Sequence, residues 1–194
     1  MLNHKNYFIK ERVGFMKLVD TYDILDPETQ QVIGTAKEEP GWTQYLRMLV
    51  NKQMLPTTLN VYENGGTVPV FTIHRPMAFF RSKVRVTGAG GVPLGYFKSK
   101  LFSFGGGFWV FDNADQKVAE VKGDWKGWNF KLLSTGGAEL GTVTKKWAGF
   151  GKELFTSADN YMISLSAHAE GSSAASLLLL AAGLAIDVVF KEKG

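Results

Sequence analysis

The segment that most restricts what this chain can fold into is its last long apolar run, SSAASLLLLAAGLAIDVVF, residues 172–190. No charged residue occurs between Ala174 and Ile186, and on a helical wheel the apolar side chains point in every direction. A helix that is hydrophobic all round must be buried, either in a protein core or in a bilayer. Gly171-Ser172-Ser173 supplies a helix start, with a serine as N-cap. A bilayer span calls for about 20 predominantly apolar residues. Here the clean run is shorter, alanine and glycine dilute it, and Asp187 interrupts it before Val188-Val189-Phe190. A core is therefore the expected environment.

The rest of the chain reads as strands that could enclose such a helix. There are 22 glycines and 14 phenylalanines among 194 residues, a composition that suits many turns joining many short strands. YDILDPETQQVIGTAK reads as strand, turn and strand, with Asp26-Pro27 starting the turn. The same unit recurs in VRVTGAGGVPLGYFK, in WVFDNADQKVAEVK and in FKLLSTGGAELGTVTKK. Each returning strand carries an apolar residue, then Gly or Ala: Ile33-Gly34, Leu94-Gly95, Val118-Ala119 and Leu140-Gly141. Four hairpins with one local pattern argue for a β-meander. Val84 and Val86 share one face of their strand, while Lys83 and Arg85 share the other. Phe108 and Val110 oppose Trp109 and Phe111, so aromatics fall on both faces and something should fill the concave side. A closed barrel holding one apolar helix removes the sheet edges and dries the helix together.

One stretch changes period. Trp42, Tyr45, Leu46, Leu49 and Val50 follow helical spacing between Pro40 and Pro56, which predicts a short amphipathic helix near 42–52. No linker or low-complexity tract divides the chain, so a single domain over 1–194 is expected. The opening MLNHKNYFIKERVGFMKLVD is broken by charges and is not read as a secretory signal peptide. There is no cysteine, which excludes disulfides and thiol chemistry and fits a reducing compartment.

The C-terminal third resembles a known family. GTVTKKWAGFGKELFTSADNY, followed by an apolar helix ending AIDVVFKE, is similar to the phospholipid scramblases and the LURP-one-related proteins of the tubby C-terminal superfamily. The matching positions are Gly141, Lys145, Trp147, Gly149, Glu153, Phe155-Thr156, Ala158-Asp159-Asn160 and Ile186-Asp187. The resemblance implies a barrel of about twelve antiparallel strands around a central C-terminal helix. It also implies a calcium segment in the scramblases. Here that segment is degenerate, because Ser157 and His168 stand where acids are expected and only Asp159 and Glu170 remain. A hard cation takes six to eight oxygen ligands, so no metal site is expected.

Other chemistry is sparse. His4, His74 and His168 are widely spaced and lack ligand motifs. VRVTGAGG begins like a dinucleotide loop, but Pro93 occupies the third glycine position and no helix pattern follows. Gly105-Gly106-Gly107 reads as a hairpin turn or bulge. Asp112, Asp115 and Asp124 sit in turns, where Asx bonding accounts for them. No nucleophile elbow occurs, so neither an enzyme nor a cofactor is expected.

Charge is the remaining lead. Net charge is +4, yet no acidic residue occurs from Asn64 to Phe111, a block holding Arg75, Arg81, Lys83, Arg85, Lys98 and Lys100. Such a block attracts anions, or else is a solvated face balanced by acids elsewhere in the fold. The expectation is a non-enzymatic binding module, cytoplasmic and peripheral at the inner membrane face, which meets anionic phospholipid or phosphoinositide headgroups. Arg81, Lys83, Arg85, Lys98 and Lys100 are its candidate ligand residues. The alternatives are a scramblase-like membrane protein and an interaction scaffold with no small ligand. No nucleic-acid partner is expected, since no recognised motif supports one.

Overall fold

The computed structural model describes residues 1–12, 19–39, 41, 55–77, 83–100, 107–124, 127–145, 160–166 and 173–190, the side chains of residues 173 and 188–190 excepted. Within these lie twelve strands and one long helix. The strands are β1 (Asn6–Glu11), β2 (Thr21–Leu25), β3 (Val32–Glu38), β4 (Thr57–Glu63), β5 (Phe71–Arg75) and β6 (Lys83–Gly88). They continue as β7 (Pro93–Ser99), β8 (Gly107–Asp112), β9 (Lys117–Asp124), β10 (Asn129–Ser134), β11 (Glu139–Thr144) and β12 (Tyr161–Leu165), before α1 (Ser173–Phe190). Each strand pairs antiparallel with its neighbour in sequence, and β1 closes onto β12 through Asn6↔Ser164 to Ile9↔Tyr161. The expected mainly-β fold, a closed antiparallel barrel around a C-terminal helix, is what the chain forms.

Alternation along the strands sets the two faces. Val84, Val86, Phe97, Phe108, Val110, Val121, Phe130 and Leu132 point inward. They share one core with Leu178, Leu180, Ala181, Ala182, Leu184, Ala185 and Ile186 of α1. Lys83 and Arg85 point outward and are exposed. A bilayer-spanning barrel has the opposite arrangement, apolar outside. The alanines and glycine that dilute the apolar run are what let a helix fit the bore. At Gly183 a Cβ would stand 2.7 Å from Cδ1 of Ile163 on β12.

The repeated hairpin pattern has a structural cause. Register shifts fall between Ile24 and Leu25, Val86 and Thr87, Val110 and Phe111, and Leu132 and Leu133. In each hairpin the returning strand carries one extra residue opposite the shift: Ile33, Leu94, Val118 or Leu140. These are the apolar members of the four apolar–Gly/Ala pairs. A bulge bends its strand and increases twist, so four bulges at equivalent places curve the sheet towards closure. Ile33, Leu94 and Leu140 then turn back onto the core. Gly141, beside its bulge, lets β12 approach closely, since a Cβ there would lie 2.5 Å from the Ser164 carbonyl oxygen.

Antiparallel order also sorts the connections. The links spanning 26–31, 64–70, 89–92, 113–116 and 135–138 lie at one end of the barrel. The strand ends Glu11 and Thr21, Glu38 and Thr57, Arg75 and Lys83, Ser99 and Gly107, Asp124 and Asn129, and Thr144 and Tyr161 lie at the other. The helix runs from the tight-turn end to the second end, where Asp187 meets Tyr22 at the start of β2. The amphipathic helix expected near 42–52 lies outside the described residues, as do Gly105 and Gly106. After Gly88 a short 3-10 turn, Ala89–Gly91, leads straight into β7, so no phosphate-binding helix follows.

Candidate functional site

The basic strand face forms on β6 and β7. Lys83 pairs across strands with Lys98, and Arg85 with Tyr96, so all four side chains share the outer wall. Two like charges directly opposite each other destabilise a sheet. Here the repulsion is relieved by drawing one of them aside. The Lys83 ammonium sits 3.9 Å from the centre of the Tyr96 ring and 3.8 Å from Asp115 Oδ1. The Tyr96 hydroxyl donates to the same carboxylate, and its ring stacks on Phe111 at 4.8 Å with 8° between planes. That hydrogen bond to Asp115 holds the Tyr96 phenol above its ordinary pKa.

Lys100 is engaged more strongly. It donates to Glu120 on β9 and lies 5.7 Å from the centre of the Trp109 ring. Lys122 approaches the same Glu120 oxygen at 3.3 Å. Burial pushes the Glu120 carboxyl up, but the hydrogen bonds and charges of Lys100 and Lys122 outweigh it and leave the pKa below the usual value. Arg85 and Lys98 differ from these two. Both are exposed, and neither side chain makes an ion pair or hydrogen bond to a described residue.

A groove of about 330 Å³ opens beside this wall, lined by Lys83, Arg85, Thr87, Tyr96, Asp112 and Asp115 among others. Its acids are already occupied. Asp112 Oδ1 accepts from the amides of Ala114 and Gln116, both at 2.9 Å, as an Asx turn does. Asp115 holds Tyr96 and Lys83. Among the described residues, the uncommitted charge on the wall is therefore the guanidinium of Arg85 and the ammonium of Lys98.

Of the expected ligand residues, Lys83, Arg85, Lys98 and Lys100 do come together on one face. Arg81, Asp159, Glu170 and His168 lie outside the described residues. Arg75, inside the acid-free block, points into the barrel and donates to Thr57 Oγ1 at 3.0 Å. The acids that answer the block, Asp115 and Glu120, sit just beyond its end in sequence and reach it across strands. A face balanced by acids elsewhere in the fold, one of the two sequence expectations, thus describes Lys83 and Lys100, while cross-strand register decides which acids answer them. Elsewhere, His74 Nδ1 lies 3.0 Å from Thr58 Oγ1 and His4 Nδ1 lies 3.8 Å from Asp26 Oδ2. Among the described residues no His, Asp and Glu group could hold a metal ion, and no helix is long and apolar enough to cross a membrane.

A closed twelve-stranded barrel filled by its own C-terminal helix, with cations and aromatics on its outer wall, defines a tubby-like barrel protein. The chain belongs to the scramblase family, whose sequence profile matches residues 13–193. No curated protein and no solved structure matches it.

Proposed function

We propose that this protein is a non-enzymatic lipid-surface-binding barrel that meets anionic phospholipid headgroups through the outer wall of β6 and β7. The observation that carries the reading is the pair Arg85 and Lys98, exposed and without an ion pair among the described residues, on a wall whose other cations, Lys83 and Lys100, face Asp115 and Glu120. A guanidinium fork beside a point charge suits phosphate oxygens. Membership of the scramblase family makes lipid the natural partner class. A lipid-translocating reading would require α1 to leave the barrel, and its burial against the core opposes that.

Co-sedimentation with vesicles tests the proposal. Wild-type protein is expected to pellet with phosphatidylcholine vesicles containing phosphatidylserine, and to release as salt rises, since such contacts are screened within about 10 Å at 0.1 M. The double variant Arg85→Glu, Lys98→Glu should lose this binding while keeping its denaturation midpoint. Undiminished binding by that variant would sink the assignment of the wall.

A further inference from the structure

Two neighbouring hairpins end in closely similar uncharged sequences. Gly65-Gly66-Thr67-Val68-Pro69 closes the β4–β5 hairpin, and Gly90-Gly91-Val92-Pro93 closes the β6–β7 hairpin. The two loops leave the barrel rim side by side. Phe71, which opens β5, pairs with Gly88, which ends β6, and the turn Ala89–Gly91 packs against β5. Gly65, Gly90 and Gly91 have φ of 76°, 71° and 80°, so glycine backbone makes the turns and no polar side chain stands at these positions. The tips present valine instead: Val68 is 66% exposed and Val92 60%.

A solitary exposed valine is ordinary. Two on adjacent loops, in stretches free of charge from Asn64 to Ile73 and from Thr87 to Phe97, make a tip that can leave water without desolvating an ion. The same β6–β7 hairpin carries Arg85 on its stem, three residues below Gly88, with Lys98 farther along the same outer face. It is thus apolar at its end and cationic below, the order in which a bilayer presents its acyl boundary and its headgroup phosphates.

We propose that the paired loops Gly-Gly-Thr-Val-Pro and Gly-Gly-Val-Pro form a shallow insertion tip that enters the interfacial layer of a lipid bilayer while Arg85 and Lys98 meet phosphates. The inference rests on the lipid-surface reading and adds an orientation to it. The β6–β7 hairpin lies along the membrane with its tight turn deepest, so that its outer face meets the headgroups as well. The tip contributes apolar burial that salt does not weaken, whereas the stem contributes charge that salt does weaken.

The chain has no cysteine, so Val92→Cys carries a single environment-sensitive fluorophore without further changes. Asn129→Cys, exposed at the opposite end, is the control. With phosphatidylcholine–phosphatidylserine vesicles, the label at 92 should shift to the blue and lose iodide quenching, while the label at 129 should do neither. Unlabelled Val68→Asp, Val92→Asp protein should bind about tenfold more weakly at high salt, equivalent to about 1.4 kcal/mol. A label at 92 that stays as quenchable in vesicle-bound protein as in free protein overturns the insertion and leaves the basic wall standing. Failure of wild-type protein to pellet with any vesicle overturns both.

Discussion

Asp187, the residue that interrupts the apolar run, accepts a hydrogen bond inside the barrel from the Tyr22 hydroxyl. Burial, and then the Asp187 charge, push the Tyr22 phenol well above its ordinary pKa. Burial alone raises that of Tyr7 to about 12. In both cases the folded chain keeps a proton that the unfolded chain gives up near pH 10. Their contribution is full below pH 10 and disappears as the pH climbs towards the folded values, because the unfolded state then binds fewer protons. Urea midpoints should therefore fall above pH 10. Tyr22→Phe should cost about 1–3 kcal/mol at neutral pH, since it strips a donor from a buried carboxylate. It should also make the alkaline decline shallower. An unchanged alkaline slope in that variant would show that this phenol does not titrate with unfolding.

At the scale of elements, α1 and the wall are matched by size. Gly183 faces Ile163 so closely that a larger residue has no room, and overpacking of this kind costs about 1–3 kcal/mol. Gly183→Val should lower the urea midpoint despite a gain in helix propensity over glycine. Ile163→Ala in the same chain should restore part of the loss, a coupling that a double-mutant cycle reads directly. Additive effects would mean that the two residues do not share the space. The bulged hairpins obey a similar logic. A short apolar residue followed by Gly or Ala marks where the strand bends and where the next strand comes near.

For the whole molecule, the helix is the filling without which the barrel has no core. Full burial of a leucine or isoleucine stabilises by about 1.5–3 kcal/mol, so Leu178, Leu179, Leu180, Leu184 and Ile186 together supply on the order of 10 kcal/mol. That is comparable to the whole stability of a domain, about 5–15 kcal/mol. Moving α1 into a bilayer would therefore unfold the barrel, which favours surface contact over helix insertion. A chain ending at residue 172 should show no cooperative urea transition and should bind a hydrophobic dye. A sharp transition in that truncated chain would mean that the wall stands on its own.

Much of the fold was legible in the sequence, because the signals are local. Alternation assigns inner and outer faces strand by strand, as at Val84 and Val86 against Lys83 and Arg85. All-round apolarity from Ala174 to Ile186 demands burial, and a curved two-faced sheet demands a filling. Tertiary structure decided which cations remain available. Lys83 and Lys100 read as equals of Arg85 and Lys98 until cross-strand register brings Asp115 and Glu120 to them. Arg75 belongs to the same acid-free block, yet its register position turns it inward to Thr57. Burial preference is written into each strand, whereas net charge at a surface point is a sum over neighbours that only the closed barrel brings together.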